Sequence, residues 1–153
     1  MREYGAALIK CPGTVTRPAQ RLACVLPEFG GATIDSTGVL NVFITDLAII
    51  PRAQRIVQLE LERDRRSQMH VRFIKGDFSY QQLDSIMRQL VPYMHPGIAS
   101  WGIDEWNNRV RVAFVTDDAR VRLENAIRTL GLPRKAIVLE KGEYSQVLSG
   151  RDR

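Results

Sequence analysis

One ordered motif occurs twice in the sequence, and this duplication limits the possible folds more than any other feature. Residues 32–48 read ATIDSTGVLNVFITDLA, and residues 102–119 read GIDEWNNRVRVAFVTDDA. Both contain Ile-Asp, a short polar turn, an alternating strand, and Thr-Asp with an alanine two residues later. Because each copy alone is too small to bury its apolar face, we interpret the chain as an internal repeat.

The match extends beyond the two hairpins. Helical patterns over residues 51–65 and 117–130 follow them, and each helix leads into an alternating strand. The strands end in KGDF at residues 75–78 and in KGEY at residues 141–144. The sequence therefore predicts an α+β fold in which a helix–strand–strand–helix–strand unit occurs twice in tandem.

From about residue 69 the predicted elements run strand, helix, strand, strand, helix, strand. That order is typical of the ferredoxin-like, split βαβ arrangement. The length of 153 residues suits one compact domain over residues 28–142. We divide the chain into an N-terminal segment 1–27, a first repeat unit 28–76, a second repeat unit 77–142 and a tail 143–153.

The polar residues that the two copies share have structural explanations. Asp46 and Asp117 follow a strand and begin a helix, where a short polar side chain can accept backbone N–H groups as an N-cap. Asp35 and Asp104 lead into tight turns, where Asx side chains bond the local backbone.

Two further local signals concern a helix start and a possible turn. Ser79 and Gln82 have the spacing of a capping box. The pair Gly30-Gly31 precedes a strand, and we predict that it forms a turn rather than a phosphate-binding loop.

The sequence contains no pattern that indicates catalysis. No nucleophile elbow, Walker loop or dinucleotide-binding glycine motif occurs, so we expect no enzyme activity and no cofactor. Metal binding is not expected either, since the histidines His70 and His95 and the cysteines Cys11 and Cys24 lack metal-ligand spacing. The two cysteines could pair in a secreted protein or remain free thiols in a small N-terminal hairpin.

A basic, partly aromatic surface is the best candidate for binding. The formal charge is +5, and strand alternation places three arginines on the sheet face opposite the helices. Trp106 lies in a turn, and Phe43 is the outward-facing aromatic of a strand. The predicted partner-binding residues are therefore Trp106, Arg109, Arg111, Arg72 and Phe43. Aromatic residues and arginines dominate protein–protein hot spots, so we expect a protein partner. A basic sheet that binds nucleic acid is the alternative.

Two longer stretches resemble a known family. LPEFGGATIDSTGVLNVFITDLA at residues 26–48, and SYQQLDSIMRQL followed by GIASWGIDEWNNRVRVAFV between residues 79 and 115, resemble the prosegment of alpha-lytic-type secreted bacterial serine proteases, the streptogrisin relatives. The similarity covers roughly residues 26–139. It implies a non-catalytic module that assists the folding of a serine protease, inhibits it, and works in the extracellular space or periplasm.

The sequence leaves the compartment of the protein and its role open. Residues 1–10 lack the apolar stretch of a signal peptide, so we expect either an intracellular protein or a chain that begins after its signal. No apolar run is long enough to span a membrane. KGEYSQVL at residues 141–148 resembles the start of a third copy, which favours a structural or interaction repeat of unknown role.

Overall fold

The computed structural model describes residues 17–144. Within this range, four helices and six strands follow one another in the order α1 (Pro18–Val25), β1 (Phe29–Ile34), β2 (Leu40–Ile44), α2 (Ile50–Arg63), β3 (Val71–Lys75), α3 (Tyr80–Leu90), β4 (Ile98–Asp104), β5 (Arg109–Phe114), α4 (Asp117–Thr129) and β6 (Ile137–Lys141). Single 3₁₀ turns precede α2, follow α3 and precede β6. Most of the tail, and Cys11, lie outside the described residues.

The predicted α+β class and the tandem repeat are confirmed. One sheet has the order β1-β2-β3 and the other the order β4-β5-β6. In each sheet the first two strands are antiparallel and the last two are parallel. From β3 onward the elements follow the predicted strand–helix–strand–strand–helix–strand order, compatible with the ferredoxin-like arrangement, and the pairing places β3 beside β2.

The two sheets also agree in register. Across the first sheet Val42 pairs with Ala32 and Phe73, and across the second Val112 pairs with Trp101 and Leu139. Both first strands contain a bulge, between Phe29 and Gly31 in β1 and between Ile98 and Ser100 in β4. A bulge inserts one extra residue into a strand. Gly30 and Ala99 are therefore equivalent positions.

The chain divides into two compact units. The first unit runs up to Leu83 and also contains the turn Glu105–Asn108. The second unit consists of Asp84–Asp104 and the chain from Arg109 onward.

The core of the first unit lies between its sheet and the helices α1 and α2. Residues at a spacing of four on α2 (Ala53, Val57 and Leu61) turn one helix face inward, as the amphipathic pattern predicts. The buried cluster consists of Leu22, Ala23, Leu26, Phe29, Val42, Ile44, Ala53, Val57 and Leu61. Burial of each large aliphatic side chain contributes about 2 kcal/mol, so this cluster is the main source of the unit's stability.

The second unit repeats this construction with α4 against β5. Buried α4 residues have helical spacing, α4 contacts the central strand β5, and the inward valines of that strand are buried. The buried residues of these two elements include Ala119, Leu123, Ala126, Ile127, Val110 and Val112.

The helix N-termini confirm the predicted capping box and correct one of the two predicted N-cap aspartates. Ser79 and Gln82 form the predicted capping box, with Gln82 Oε1 accepting from Ser79 N at 2.8 Å and Ser79 Oγ accepting from Gln82 N at 3.1 Å. Asp46 is an N-cap as predicted. The N-cap of α4, however, is Thr116, whose hydroxyl accepts from Ala119 N at 3.2 Å.

The prediction that Asp117 caps α4 was therefore wrong. Asp117 lies one residue further on, in the first turn, where its negative charge still suits the positive end of the helix dipole. Strand register explains the difference, because Thr45 N bonds Glu28 O in one sheet and Val115 N bonds Gly97 O in the other. By strand register Asp46 is therefore equivalent to Thr116, whereas the shared Thr-Asp motif aligns it with Asp117, one residue later.

The turn of the first hairpin forms as an Asx turn, as predicted. Asp35 Oδ1 accepts from the Thr37 hydroxyl at 2.5 Å and from the Thr37 amide at 2.9 Å, and Asp35 Oδ2 accepts from Asn41 Nδ2 at 3.0 Å. The side-chain hydrogen bonds from Thr37 and Asn41 hold the pKa of Asp35 well below its usual range.

The cysteine of the described region lies in a helix. Cys24 belongs to α1, so the N-terminal hairpin considered for it was wrong. Cys24 is disulfide-bonded. Along residues 17–144, no helix is both long enough and apolar enough to cross a membrane.

Candidate binding turn

The turn Glu105–Asn108 is the most unusual feature of the repeat. It joins β4 to β5 along the chain and corresponds to the turn between β1 and β2 in the first repeat. Leu40 at the start of β2 and Val110 in β5 occupy equivalent positions in the two sheets. Four residues (36–39) lie between Asp35 and Leu40, whereas five (105–109) lie between Asp104 and Val110. The second turn is thus one residue longer. Gly38 and Asn108 occupy equivalent left-handed positions, with φ values of 81° and 56°.

The side chain of Asn108 is buried and fully bonded to backbone atoms of the first unit. Only 1% of the residue is exposed. Its Oδ1 accepts from the amides of Asp77 at 2.8 Å and Phe78 at 2.9 Å. Its Nδ2 donates to the carbonyls of Gly30 at 2.9 Å and Phe78 at 2.8 Å. These four bonds use both donors and both acceptor lone pairs of the side-chain amide.

Two glycines make room for this amide. A Cβ at Gly30 would lie 2.7 Å from the Phe78 carbonyl oxygen and 2.8 Å from Asn108 Nδ2, and a Cβ at Gly76 would lie 3.2 Å from Asn108 Oδ1. Gly30 and Gly31 are part of β1, so the prediction that they form a turn was wrong. Glycine inside a strand often marks a place where another segment approaches closely, and here that segment is the Glu105–Asn108 turn.

Glu105 attaches the other end of the turn to β1. Its Oε1 accepts from the Ala32 amide at 3.2 Å, and its Cβ packs over Gly31, whose φ of 129° favours glycine. Burial raises the pKa of Glu105, and the hydrogen bond from Ala32 opposes that shift only in part. Glu105 also lines a cavity of about 520 Å³ in the first unit.

Trp106 lies between these two attachment points. The residue is 60% exposed, although its neighbours Glu105 and Asn108 are fixed to β1 and to the segment after β3. The turn therefore presents a large aromatic side chain to solvent on a backbone that is held at both ends.

Of the other predicted partner-binding residues, Phe43 and Arg72 lie in the first unit together with Trp106. Phe43 is half-buried on the central strand β2, and a Cβ at Gly30 or Gly76 would come within 3.1 or 3.2 Å of its Cβ. Arg72 is exposed on β3, where it pairs in register with Asn41. Phe43 was predicted to face outward, but its neighbours cover about half of it.

The remaining two, Arg109 and Arg111, lie on β5 of the second unit. Arg111 donates to Asp104 Oδ2 at 2.8 Å and to Glu140 at 3.3 Å, so carboxylates compensate much of its charge. Arg109 is half-buried and pairs in the ladder with Asp104. The sheet face of the second unit is consequently less basic than the alternation of arginines suggested.

Trp101 is a second exposed tryptophan. It shares a strand face with Ile103 but is 39% exposed on β4. Its ring meets that of His95 edge to face, with 5.6 Å between the centroids.

Sequence reasoning missed Asn108 and Glu105, whose partners lie far away along the chain. Two signals pointed to them: the consecutive glycines inside a strand pattern, and the extra residue in the second turn. Among residues 17–144, no group of three or more histidine, cysteine, aspartate or glutamate side chains is arranged to hold a metal ion.

Comparisons with known proteins do not assign a family. No family model matches the chain, and no curated protein matches it significantly.

The first prediction concerns Asn108. Asn108→Gly keeps a residue that accepts the left-handed backbone but removes the amide and its four hydrogen bonds to two N–H groups and two carbonyls. We expect the free energy of unfolding to fall by about 3 kcal/mol. Asn107→Gly is the matched control, because Asn107 is exposed in the same turn, and it should cost less than about 1 kcal/mol. Equal losses in urea unfolding would show that the Asn108 side chain does not hold the turn.

The second prediction concerns pH. Because the pKa of Glu105 is raised in the folded chain, the folded state binds this proton more tightly than the unfolded state. The contribution of Glu105 to stability is therefore largest at low pH. It falls as the pH rises from the pKa of this carboxyl in the unfolded chain through its higher pKa in the folded chain. Glu105→Gln retains an acceptor for the Ala32 amide and cannot ionise. The variant should be more stable than the wild type at about pH 7 and equal to it at about pH 3. A difference in stability that does not change with pH would contradict this prediction.

Proposed function

We propose that the protein is a non-catalytic protein-binding module and that the Glu105–Asn108 turn is its main contact. The exposure of Trp106 on a turn fixed at both ends carries the proposal. A tryptophan can bury a large area in a partner's pocket, and aromatic residues of this kind dominate binding hot spots. A turn that is already rigid loses little conformational entropy on binding, which favours affinity.

We further propose that the partner is a secreted serine protease that the module inhibits, in the extracellular space or the periplasm. The resemblance of residues 26–48 and 79–115 to alpha-lytic-type prosegments supports this choice. The disulfide at Cys24 supports the compartment, because disulfides persist in oxidising environments.

The nucleic-acid alternative has less support. Arg111 is paired with Asp104 and Glu140, and Phe43 is half-buried rather than open for base stacking. The arginine charge that would contact phosphates is therefore partly compensated, and the aromatic ring that would stack on bases is partly covered.

The experiment is an inhibition assay with matched tryptophan variants. A purified alpha-lytic-type bacterial protease hydrolyses a chromogenic peptide in the presence of the wild type, Trp106→Ala or Trp101→Ala. We expect the wild type to inhibit and Trp106→Ala to weaken inhibition by about 30-fold, the effect of a hot spot of about 2 kcal/mol. Trp101→Ala removes an exposed tryptophan elsewhere and should change inhibition less than about threefold. Trp106→Ala should change the melting temperature little, because this side chain is mostly exposed, and inhibition is compared at a temperature at which all three proteins are folded.

Two results would contradict the proposal, and each concerns a different part of it. A folded wild type that does not inhibit would remove the protease as the partner. Inhibition that is unaffected by Trp106→Ala would remove the turn as the contact. Binding of a labelled RNA or DNA oligonucleotide, measured by fluorescence anisotropy at moderate salt, would favour the nucleic-acid alternative instead.

A further inference from the structure

We propose that the second unit carries a second acceptor for an asparagine-bearing hairpin turn, formed by Ala99, Gly142, Glu143 and Tyr144. Its occupant is the β-hairpin turn of a further repeat of the same kind. This inference depends on the repeat and not on the proposed protease-binding function.

The acceptor in the first unit shows which atoms the asparagine recognises. Asn108 bonds the carbonyl of the bulge residue Gly30 and the amides of Asp77 and Phe78, which directly follow the last strand of the sheet. Its fourth bond is to the Phe78 carbonyl. All four partners are backbone groups, so recognition depends on the path of the chain and not on particular side chains. A second sheet with the same backbone path offers the same groups.

The second unit contains the equivalent positions. The bulge in β4 places Ala99 where β1 has Gly30. The amide of Gly142 bonds Phe114 O at 2.8 Å, just as the amide of Gly76 bonds Ile44 O at 2.9 Å. KGEY at residues 141–144 then continues as KGDF does at residues 75–78, so the amides of Glu143 and Tyr144 correspond to those that bind Asn108.

Side chains of the second unit are exposed at positions whose equivalents in the first unit lie against the Glu105–Asn108 turn. Tyr144 is 58% exposed, whereas its equivalent Phe78 is half-buried. Trp101 is 39% exposed at the position of Ala32, whose amide bonds Glu105 in the first unit. Two large aromatic side chains are thus exposed at the positions whose equivalents in the first unit bond the turn. Exposed apolar surface of this kind often indicates an interaction site.

One substitution between the repeats sets how tightly the acceptor binds. In the first unit a Cβ at Gly30 would lie 2.7 Å from the Phe78 carbonyl oxygen and 2.8 Å from Asn108 Nδ2, and Ala99 carries a Cβ at the equivalent position. The Ala99 side chain therefore keeps the following carbonyl and the incoming asparagine amide farther from the bulge than in the first unit. The second acceptor should therefore bind an asparagine turn more weakly than the first, and Ala99→Gly should strengthen it.

The main experiment extends the chain by one repeat. Residues 1–144 are followed by a copy of residues 79–141, and amide hydrogen exchange is measured by NMR in the extended chain and in the original. Exchange of the Glu143 and Tyr144 amides should slow by about 100-fold, because both become hydrogen-bonded and buried. Changing the asparagine of the added copy that corresponds to Asn108 to alanine should restore the original rates. A folded added repeat that leaves both rates unchanged would overturn the inference, as would protection that survives the asparagine change.

A second measurement applies if the added repeat does not fold. A cyclised peptide containing residues 98–114 is titrated into the intact chain, with an otherwise identical peptide that has alanine for Asn108 as control. The inference predicts shifts of the Glu143 and Tyr144 amide resonances with the asparagine peptide alone, and about tenfold tighter binding to Ala99→Gly. No shifts at these amides, or shifts confined to Asp77 and Phe78, would overturn it.

Discussion

The first unit depends on one buried side-chain amide, that of Asn108. It joins three segments that are distant along the chain: the bulge of β1, the link between β3 and α3, and the turn Glu105–Asn108. A buried amide that lacks partners would destabilise the fold, whereas one with all four bonds made stabilises a single arrangement. The glycines at positions 30 and 76 follow from this requirement, since side chains there would crowd the amide.

The same interaction depends on a difference between the hairpin turns of the two repeats. The first hairpin turn is stabilised locally by Asp35 and ends in Gly38, which has no side chain to insert elsewhere. The second turn is one residue longer and has an asparagine at the equivalent position, so it can bond a separate backbone. Docking through Glu105 and Asn108 fixes the backbone on both sides of Trp106, and this rigidity makes the tryptophan suitable for binding another protein.

Local sequence signals predicted most of the fold but little of the candidate site. The repeat, the helices and the capping box of Ser79 and Gln82 were predictable because periodicity and caps involve residues a few positions apart. The partners of Asn108 lie 30, 31 and 78 residues away, so no local pattern identifies them. The assignment of the α4 cap to Asp117 failed for a related reason, because strand pairing shifts the second helix start by one residue relative to the shared Thr-Asp motif. The pairing of Arg111 with Glu140 likewise depends on which strands are neighbours, and strand alternation alone does not give that.

Hydrogen exchange at the two backbone amides that donate to Asn108 shows whether this side chain is part of the cooperative structure of the first unit. Native-state exchange should be measured for the Asp77 and Phe78 amides and compared with the Gly76 amide, which bonds Ile44 in the sheet. We expect all three amides to exchange through the same opening, with similar protection and the same response to low concentrations of urea. Exchange of Asp77 and Phe78 at the rates of unprotected peptide amides, while Gly76 stays protected, would contradict this expectation.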